Sequence, residues 1–144
     1  MEDVTKPVAL VVEHEAALAL LIEDLLAETG FDTVFAATEA DALRKASAID
    51  RIAAAVVNPW VAGALVGQRV IRALRQRIPD LPVVVITCFD KLAPQADLRG
   101  VGWPTIRLHA PYDYDELVPA MRTVIEQART GDRPVGGRRR GDIA

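Results

Sequence analysis

The stretch VALVVEHE, residues 8–15, decides how this chain folds. Its first part, Val8–Val12, is apolar without interruption and rich in β-branched side chains, which is typical of a strand buried on both faces. Strands of that kind form parallel sheets that helices cover on both sides. The stretch then changes to Glu13, His14 and Glu15. In an open parallel sheet, functional groups lie at the carboxyl ends of the strands, so the stretch predicts a buried strand that leads to a functional edge.

Apolar runs and helical periods alternate along the rest of the chain. Four further strands are predicted over residues 33–36, 53–57, 83–87 and 105–108. Between and after them, apolar residues recur at the spacing of amphipathic helices. Five helices are predicted in this way, and the fourth of them covers residues 92–98. The alternation is the pattern of an α/β domain built on a parallel sheet.

Composition excludes several classes of function. A net charge of −3 and a pI near 5.4 argue against a nucleic-acid-binding body, which usually carries a clustered basic surface. No apolar run reaches the roughly 18 residues of a membrane-spanning helix, and the start of the chain lacks the basic and apolar regions of a signal peptide. The single cysteine, Cys88, allows no internal disulfide. We therefore expect a cytoplasmic protein that binds neither a membrane nor nucleic acid.

The sequence divides into two parts. Residues 1–130 carry all the predicted elements and form one domain, whereas residues 131–144 are rich in glycine and arginine and are expected to be disordered. Four arginines against two aspartates give this tail a net charge of +2, which leaves −5 for residues 1–130 because the whole chain carries −3. The composition of the tail fits either a solvated terminus or a weak phosphate-binding arm.

Several segments resemble, in order and spacing, those of the receiver domains of bacterial two-component response regulators. The segments that carry the resemblance are VVEHE at 11–15, VVN at 56–58, VVVIT at 83–87 and APYD at 110–113. The resemblance covers the chain from Val8 to about Arg129. It implies a flavodoxin-like (βα)5 fold, in which five parallel strands in the order 2-1-3-4-5 carry helices on both faces.

The family's chemistry defines what the corresponding positions must supply. An aspartate attacks a phosphoryl group, and the nucleophile must be an ionised oxygen. An acidic pair holds Mg²⁺, which prefers anionic oxygens, and a lysine meets the charge that develops on the phosphoryl group. By resemblance, the positions are Asn58 for the aspartate, Glu13 and His14 for the acidic pair, Ala110 for the lysine, Thr87 for the switch hydroxyl and Arg107 for the aromatic residue coupled to it.

Of these positions, only Thr87 carries the residue type that the chemistry needs. The amide of Asn58 is not a nucleophile, and Ala110 supplies no ammonium group. With the aspartate and one member of the acidic pair gone, a lysine in this pocket would be an uncompensated, partly buried charge, so the substitutions make sense as a set. The resemblance is therefore to a degenerate receiver, or pseudo-receiver. We expect no enzymatic activity, no metal and no cofactor.

Each position also has a purely structural interpretation. Glu13 fits a hydrated strand end equally well, and His14 fits a local hydrogen bond better than a metal ligand. The amide of Asn58 is expected to bond neighbouring loop backbone, because Pro59 holds Asn58 in an extended conformation. Thr87 fits a hydroxyl that is satisfied at a strand end.

Four aromatic residues are candidates for contacts with other proteins. Trp60 follows the third predicted strand in a loop, where it is expected either to pack as a lid or to anchor a partner. Trp103 lies in a loop of glycine and proline, with the same two possibilities. Tyr112 and Tyr114 precede the last helix and are candidates for a dimer face, because receivers often pair through their fourth and fifth helices.

The expected function is a phosphorylation-independent signalling and docking module in a phosphorelay or regulatory pathway. Its partner would be a histidine kinase, a phosphotransfer protein, an output protein or a second copy of the chain. One alternative is a residual phosphoacceptor or metal-binding receiver that uses Glu13 with His14 or Glu15. Another is a flavodoxin-like binder of FMN or a nucleotide. Against this last alternative, the acidic stretch after the first strand would repel an anion, and the chain has no glycine-rich phosphate loop.

Overall fold

The computed structural model of the protein describes residues 6–61, 64–65, 67–88, 102–110 and 114–131. Within these ranges the strands are, in chain order, β1 (Val8–Val12), β2 (Asp32–Ala36), β3 (Ala54–Val57), β4 (Trp60–Val61), β5 (Ala64–Leu65), β6 (Val83–Cys88) and β7 (Thr105–Ala110). The α-helices are α1 (Ala16–Ala27), α2 (Glu39–Ala48), α3 (Gly67–Arg77) and α4 (Leu117–Thr130), with a 3-10 turn over Tyr114–Glu116 before α4. Three predictions lie outside the described residues: the helix over 92–98, the candidate Tyr112, and the tail beyond Gly131.

Five of the strands form one parallel sheet in the order β2-β1-β3-β6-β7. Numbering these five along the chain gives 2-1-3-4-5, so the predicted fold class and strand order are confirmed. Helices α2 and α3 cover one face of the sheet, and α1 and α4 cover the other. In the described part of the chain, no helix is both long enough and apolar enough to cross a membrane.

Each face of the sheet has its own apolar core, because successive residues of a strand point to opposite faces. Leu10 and Val12 of β1 pack with α2 and α3, whereas Ala9 and Val11 pack with α1 and α4. All four side chains are completely buried. The helices contribute Ala42, Ala46, Val70, Ile71 and Leu74 to the first core and Ile22, Leu26, Leu117, Met121 and Val124 to the second. Burial on both sides explains why β1 is apolar without interruption.

The register of the sheet brings the polar strand ends together. Val12 pairs with Val57, and Val57 pairs with Val85. Glu13 and Asn58 each follow a paired residue directly, so they lie side by side at the carboxyl edge. The Asn58 N–H donates to the Val12 carbonyl at 3.0 Å, which continues the ladder to that edge.

Four strands differ from the prediction at their ends, and among them β2 begins at Asp32, one residue earlier than predicted. β6 continues to Cys88 and β7 to Ala110, because these two residues pair with each other and prolong the ladder beyond the predicted ends. β3 begins at Ala54, one residue later than predicted. As a consequence, Ala110 is a strand residue at the carboxyl edge.

A two-stranded antiparallel hairpin, β4–β5, replaces part of the predicted loop after β3. Trp60 pairs with Leu65, and Val61 pairs with Ala64. Aromatic and β-branched residues favour strands, and two residues are the commonest length for the connection of a hairpin. The expectation that Trp60 lies in an irregular loop is therefore wrong, since Trp60 begins a short strand.

Arg75 joins three elements at the amino edge of the sheet. Its Nε and Nη2 donate to the Leu81 carbonyl at 3.2 and 2.7 Å, and Nη2 also donates to the Pro104 carbonyl at 2.6 Å. Its Nη1 donates to the Thr105 hydroxyl at 2.9 Å. A Cβ placed on Gly102 would lie 3.3 Å from the Arg75 Cδ, so the side chain is also closely packed. These bonds connect the end of α3 to the segments that begin β6 and β7.

We predict that Arg75→Lys lowers the free energy of unfolding by about 1–3 kcal/mol. A single ammonium group cannot reach all the acceptors that the planar guanidinium satisfies, which leaves carbonyl groups unpaired. Urea unfolding followed by circular dichroism measures the change. Arg77→Lys is the matched control, because Arg77 is an exposed residue of the same helix, and it should change stability by less than about 0.5 kcal/mol. Equal effects of the two substitutions would contradict the assignment.

Candidate functional site

Glu13 and Asn58 form the centre of the site. Their side chains are buried, with 6% and 8% exposure. Asn58 Nδ2 donates to Glu13 Oε1 at 2.9 Å, and the Glu15 backbone N–H donates to Glu13 Oε2 at 3.1 Å. A buried carboxylate needs hydrogen-bond partners. Here one partner comes from β3 and the other from the turn that leads into α1.

These contacts correct one structural expectation. Glu13 is not a hydrated strand end, because its carboxylate is buried and accepts two hydrogen bonds. The Asn58 Nδ2 group donates to the Glu13 side chain at the end of the neighbouring strand, and its predicted bond to loop backbone stays a prediction. The physical reason is the register of β1 and β3, which places a buried carboxylate beside the amide.

His14 and Thr87 stand at the margins of this pair. His14 Nδ1 lies 3.7 Å from Glu13 Oε2, and the His14 side chain is 37% exposed. Thr87 is buried, and its Oγ1 donates to the Leu108 carbonyl at 3.3 Å. The hydroxyl that resembles the family's switch residue is therefore bonded to the backbone of β7.

The other two positions identified by resemblance lie on β7. Arg107 pairs with Val85 and is half-buried. Because strand residues alternate between faces, Arg107 lies on the same face of the sheet as Thr87. Ala110 is the last residue of β7 and pairs with Cys88 at the carboxyl edge. The sheet thus brings the candidate positions to one edge, with Arg107 three residues further in.

The start of α3 fixes the backbone that follows Asn58. A Cβ placed on Gly67 would lie 2.8 Å from the Pro59 Cβ, closer than packed carbon atoms approach each other. The absence of a side chain at Gly67 therefore allows α3 to pack directly against Pro59. Pro59 in turn restricts Asn58 to extended conformations, which keeps the amide beside the Glu13 carboxylate.

A groove of about 440 Å³ opens beside the buried pair. It is lined by Glu13, His14, Ala16, Ala19, Leu20, Phe35, Ala37, Asp41 and Lys45. Sequence reasoning did not identify Asp41 and Lys45, although their separation of four residues is that of an ion pair on one helix. Lys45 Nζ lies 3.2 Å from Asp41 Oδ2 and also donates to the Phe35 carbonyl.

The charges of Asp41 and Lys45 are directed to each other rather than to Glu13. Desolvation raises the pKa of Asp41, but the hydrogen bonds from Lys45 and Arg44 outweigh it and hold the pKa below its ordinary value. In the described structure, Lys45 makes no ion pair with Glu13. A cation is thus present in the groove, but it does not take the place of the family's lysine.

The Mg²⁺ ion that the resemblance implies does not fit these residues. Both oxygens of Glu13 accept hydrogen bonds, and Asn58 presents its amide nitrogen to the carboxylate. Over the described ranges, no three His, Cys, Asp or Glu side chains come together as metal ligands. Mg²⁺ demands a near-octahedral set of oxygen ligands, and the described residues of the edge offer no such set.

The aromatic candidates are separated from this site or are described by backbone alone. Trp103 is half-buried at the amino edge, just before β7, where it lines a cleft of about 380 Å³ against the end of α3. It is therefore not part of the site around Asn58. Trp60 and Tyr114 lie in β4 and in the 3-10 turn, and their side-chain contacts stay predictions.

The sequence matches no known family model and no curated protein. Solved structures, in contrast, match closely in shape. A response regulator receiver protein from Sinorhizobium medicae WSM419 has a TM-score of 0.73 at 23% identity, over 85% of this chain and 97% of that one. A sensor protein from Polaromonas sp. JS666 has a TM-score of 0.70 at 26% identity, over 86% and 99%. NtrX from Brucella abortus in complex with ATP has a TM-score of 0.75 at 20% identity, over 88% and 28%.

These similarities establish the fold. The chain has the architecture of response regulator receiver domains, with almost the whole length of the Sinorhizobium protein represented. At such low identity, however, likeness of shape does not transfer chemistry, because function depends on the residues of the site rather than on the fold. The chemistry of this edge therefore has to be inferred from its own side chains.

We predict that Asn58→Asp destabilises the protein at neutral pH. The substitution removes the donor to Glu13 and places a second carboxylate about 3 Å from the first, which raises the pKa of one carboxyl above its unfolded value. The folded state then binds more protons than the unfolded state, so stability falls as pH rises from about 4 towards 7. Urea unfolding at pH 7 should give a loss of roughly 2–4 kcal/mol, with a smaller loss at pH 4.

Asn58→Ala is the control for this experiment. It also removes the donor but adds no charge, so its cost should vary less with pH than that of Asn58→Asp. If both variants showed the same dependence on pH, the carboxylates would not be in contact.

Proposed function

We propose that this chain is a receiver-like module of a two-component signalling pathway that acts by docking to another protein and accepts no phosphoryl group. The observation that carries the proposal is the hydrogen bond from Asn58 Nδ2 to Glu13 Oε1, at 2.9 Å. It lies at the sheet edge where the resemblance to receivers would require an ionised aspartate. A neutral amide has no carboxylate oxygen with which to attack phosphorus.

The remaining carboxylate is a poor substitute for the missing one. Both oxygens of Glu13 are engaged, by the Asn58 amide and by the Glu15 N–H. Hydrogen bonds to a charged group contribute about 1.5–3 kcal/mol each. Attack by Glu13 or binding of a metal ion would have to break these bonds inside the protein and take the acceptor away from Asn58 Nδ2 and the Glu15 N–H.

The charge balance of the edge supports the same conclusion. Phosphoryl transfer requires a cation near the developing charge, and the position that resembles the family's lysine is Ala110. Lys45 lies in the adjoining groove, but its ammonium group is bonded to Asp41 and to the Phe35 carbonyl. Within the described part of the edge, neither Ala110 nor Lys45 would offset the repulsion between an incoming phosphate and the Glu13 carboxylate.

Thr87, at the switch position, also has no phosphate to respond to if the edge accepts none. In receivers a phosphate attracts a Ser or Thr hydroxyl, whereas the Thr87 hydroxyl here donates to the Leu108 carbonyl. We infer that the module keeps one conformation and that its partner recognises a constant surface. The partner class is a histidine kinase, a phosphotransfer protein or an output protein. The match to 28% of the NtrX chain is an example of this fold within a longer protein.

The proposal predicts that the protein stays unmodified in the presence of a phosphodonor. Purified protein is incubated with acetyl phosphate or phosphoramidate and Mg²⁺, and its intact mass is measured. We expect no addition of phosphate, because Asn58 supplies no nucleophile and Ala110 supplies no cation. A gain of one phosphate that maps to Glu13, His14 or Glu15 would refute the proposal and establish a residual phosphoacceptor instead.

A variant that restores the missing groups is the matched control. The combination His14→Asp, Asn58→Asp and Ala110→Lys returns the acidic pair, the nucleophile and the ammonium group to the positions that the resemblance assigns to them. This variant should gain one phosphate under the same conditions, with the modification on the residue introduced at position 58. If this variant gains a phosphate while the wild-type protein stays unmodified, the residues at these three positions account for the missing phosphoryl transfer.

A further inference from the structure

The side of α1 that faces solvent is unusually apolar. Leu20 and Leu21 are 57% and 39% exposed, and they are the exposed large apolar side chains of the described part of the chain. Because an α-helix has 3.6 residues per turn, Leu20, Leu21 and three other exposed residues lie within about one third of the helix circumference. We call this surface the α1 outer face; it consists of Ala17, Leu20, Leu21, Asp24 and Glu28.

The charges on the α1 outer face are all negative. Asp24 lies near the end of α1 and Glu28 caps it, where carboxylates are opposed by the helix dipole. The other α-helices carry basic residues in their last turns, namely Lys45 in α2, Arg75 and Arg77 in α3, and Arg129 in α4. α1 carries none. Among the described residues, neither Asp24 nor Glu28 takes part in an ion pair.

These features define what could cover the face. A second copy that packed through the same face would bring like charges together around its leucines, which is unfavourable. Arginine, in contrast, lays its methylene groups along apolar surface while its guanidinium stays in water. The guanidinium also forms strong hydrogen bonds to carboxylates. An arginine-rich segment therefore fits both the apolar and the acidic part of the face.

Such a segment begins close to this face. Helices α1 and α4 pack in the same core, and each returns from a parallel strand to the amino edge, so both end at that edge. Gly131 ends α4 there with a φ of +70°. Arg138 is the seventh residue after Gly131, and seven steps of an extended chain span about 24 Å. This exceeds the length of α1, about 18 Å for a helix of 12 residues.

We propose that the arginine segment, residues 132–144, binds the α1 outer face of the same molecule. Its arginines pair with Asp24 and Glu28, and their methylene groups cover Leu20 and Leu21. A partner that docks on α1 has to displace this segment. The inference does not depend on whether the sheet edge accepts phosphate.

Nuclear magnetic resonance of the full chain tests the proposal. Backbone amide shifts of the wild-type protein are compared with those of the variant Arg138→Gln, Arg139→Gln, Arg140→Gln. We expect shift changes on the α1 outer face. The difference between the two proteins should disappear near 1 M NaCl, where the screening length falls to about 3 Å. It should not depend on protein concentration, because the contact is intramolecular.

A second variant provides the charge-matched control. Arg51→Gln, Arg77→Gln, Arg122→Gln removes the same charge from exposed positions of the folded body and should leave the α1 amides unchanged. In the reciprocal variant, Asp24→Asn with Glu28→Gln, the amides of the arginine segment should shift. The proposal is overturned if the α1 amides do not respond to the loss of the three arginines. It is equally overturned if their response grows with protein concentration, since the contact would then be between two copies.

Discussion

The hydrogen bond between the Asn58 amide and the Glu13 carboxylate is the constraint on which the rest of the site depends. It connects the ends of β1 and β3 at 2.9 Å and satisfies a carboxylate that is almost completely buried. Without that donor, the carboxylate would have to be rehydrated or protonated. The same bond occupies an oxygen that a metal ion or a phosphoryl group would need, so it accounts both for the stability of the buried carboxylate and for the lack of reactivity that we propose.

The stability of the fold comes from its two apolar cores rather than from the polar residues at the carboxyl edge of the sheet. The two cores are built from alternating residues of the strands and from stripes on the helices, and neither core requires an ionisable group at the carboxyl edge. The architecture therefore forms with an amide at position 58 and an alanine at position 110. The similarity of shape to solved receiver structures at 16–23% identity agrees with this view, because a fold does not determine the chemistry of its sites.

Sequence reasoning predicted the sheet correctly because strand burial leaves a direct signature, the uninterrupted apolar runs of β1, β3 and β6. The strand order came from the family resemblance, not from periodicity. The partner of the Asn58 amide was not predicted, because periodicity places strand ends at one edge but does not fix the register that brings Glu13 beside Asn58. The hairpin β4–β5 was missed because two-residue strands are too short to show a period. Lys45 was overlooked because its role depends on a groove formed by separate elements.

The side-chain amide resonances of Asn58 test the central claim most directly. In a nitrogen–proton correlation spectrum, a buried and hydrogen-bonded Nδ2 group gives protons that exchange slowly with water, and their shifts should remain constant as Mg²⁺ is added to millimolar concentration. Glu13→Gln should alter these resonances, because the amide would then face a neutral acceptor. A saturable change of the Asn58 signals with Mg²⁺, together with a change at Glu13, would show that the edge opens to bind metal and would contradict the account.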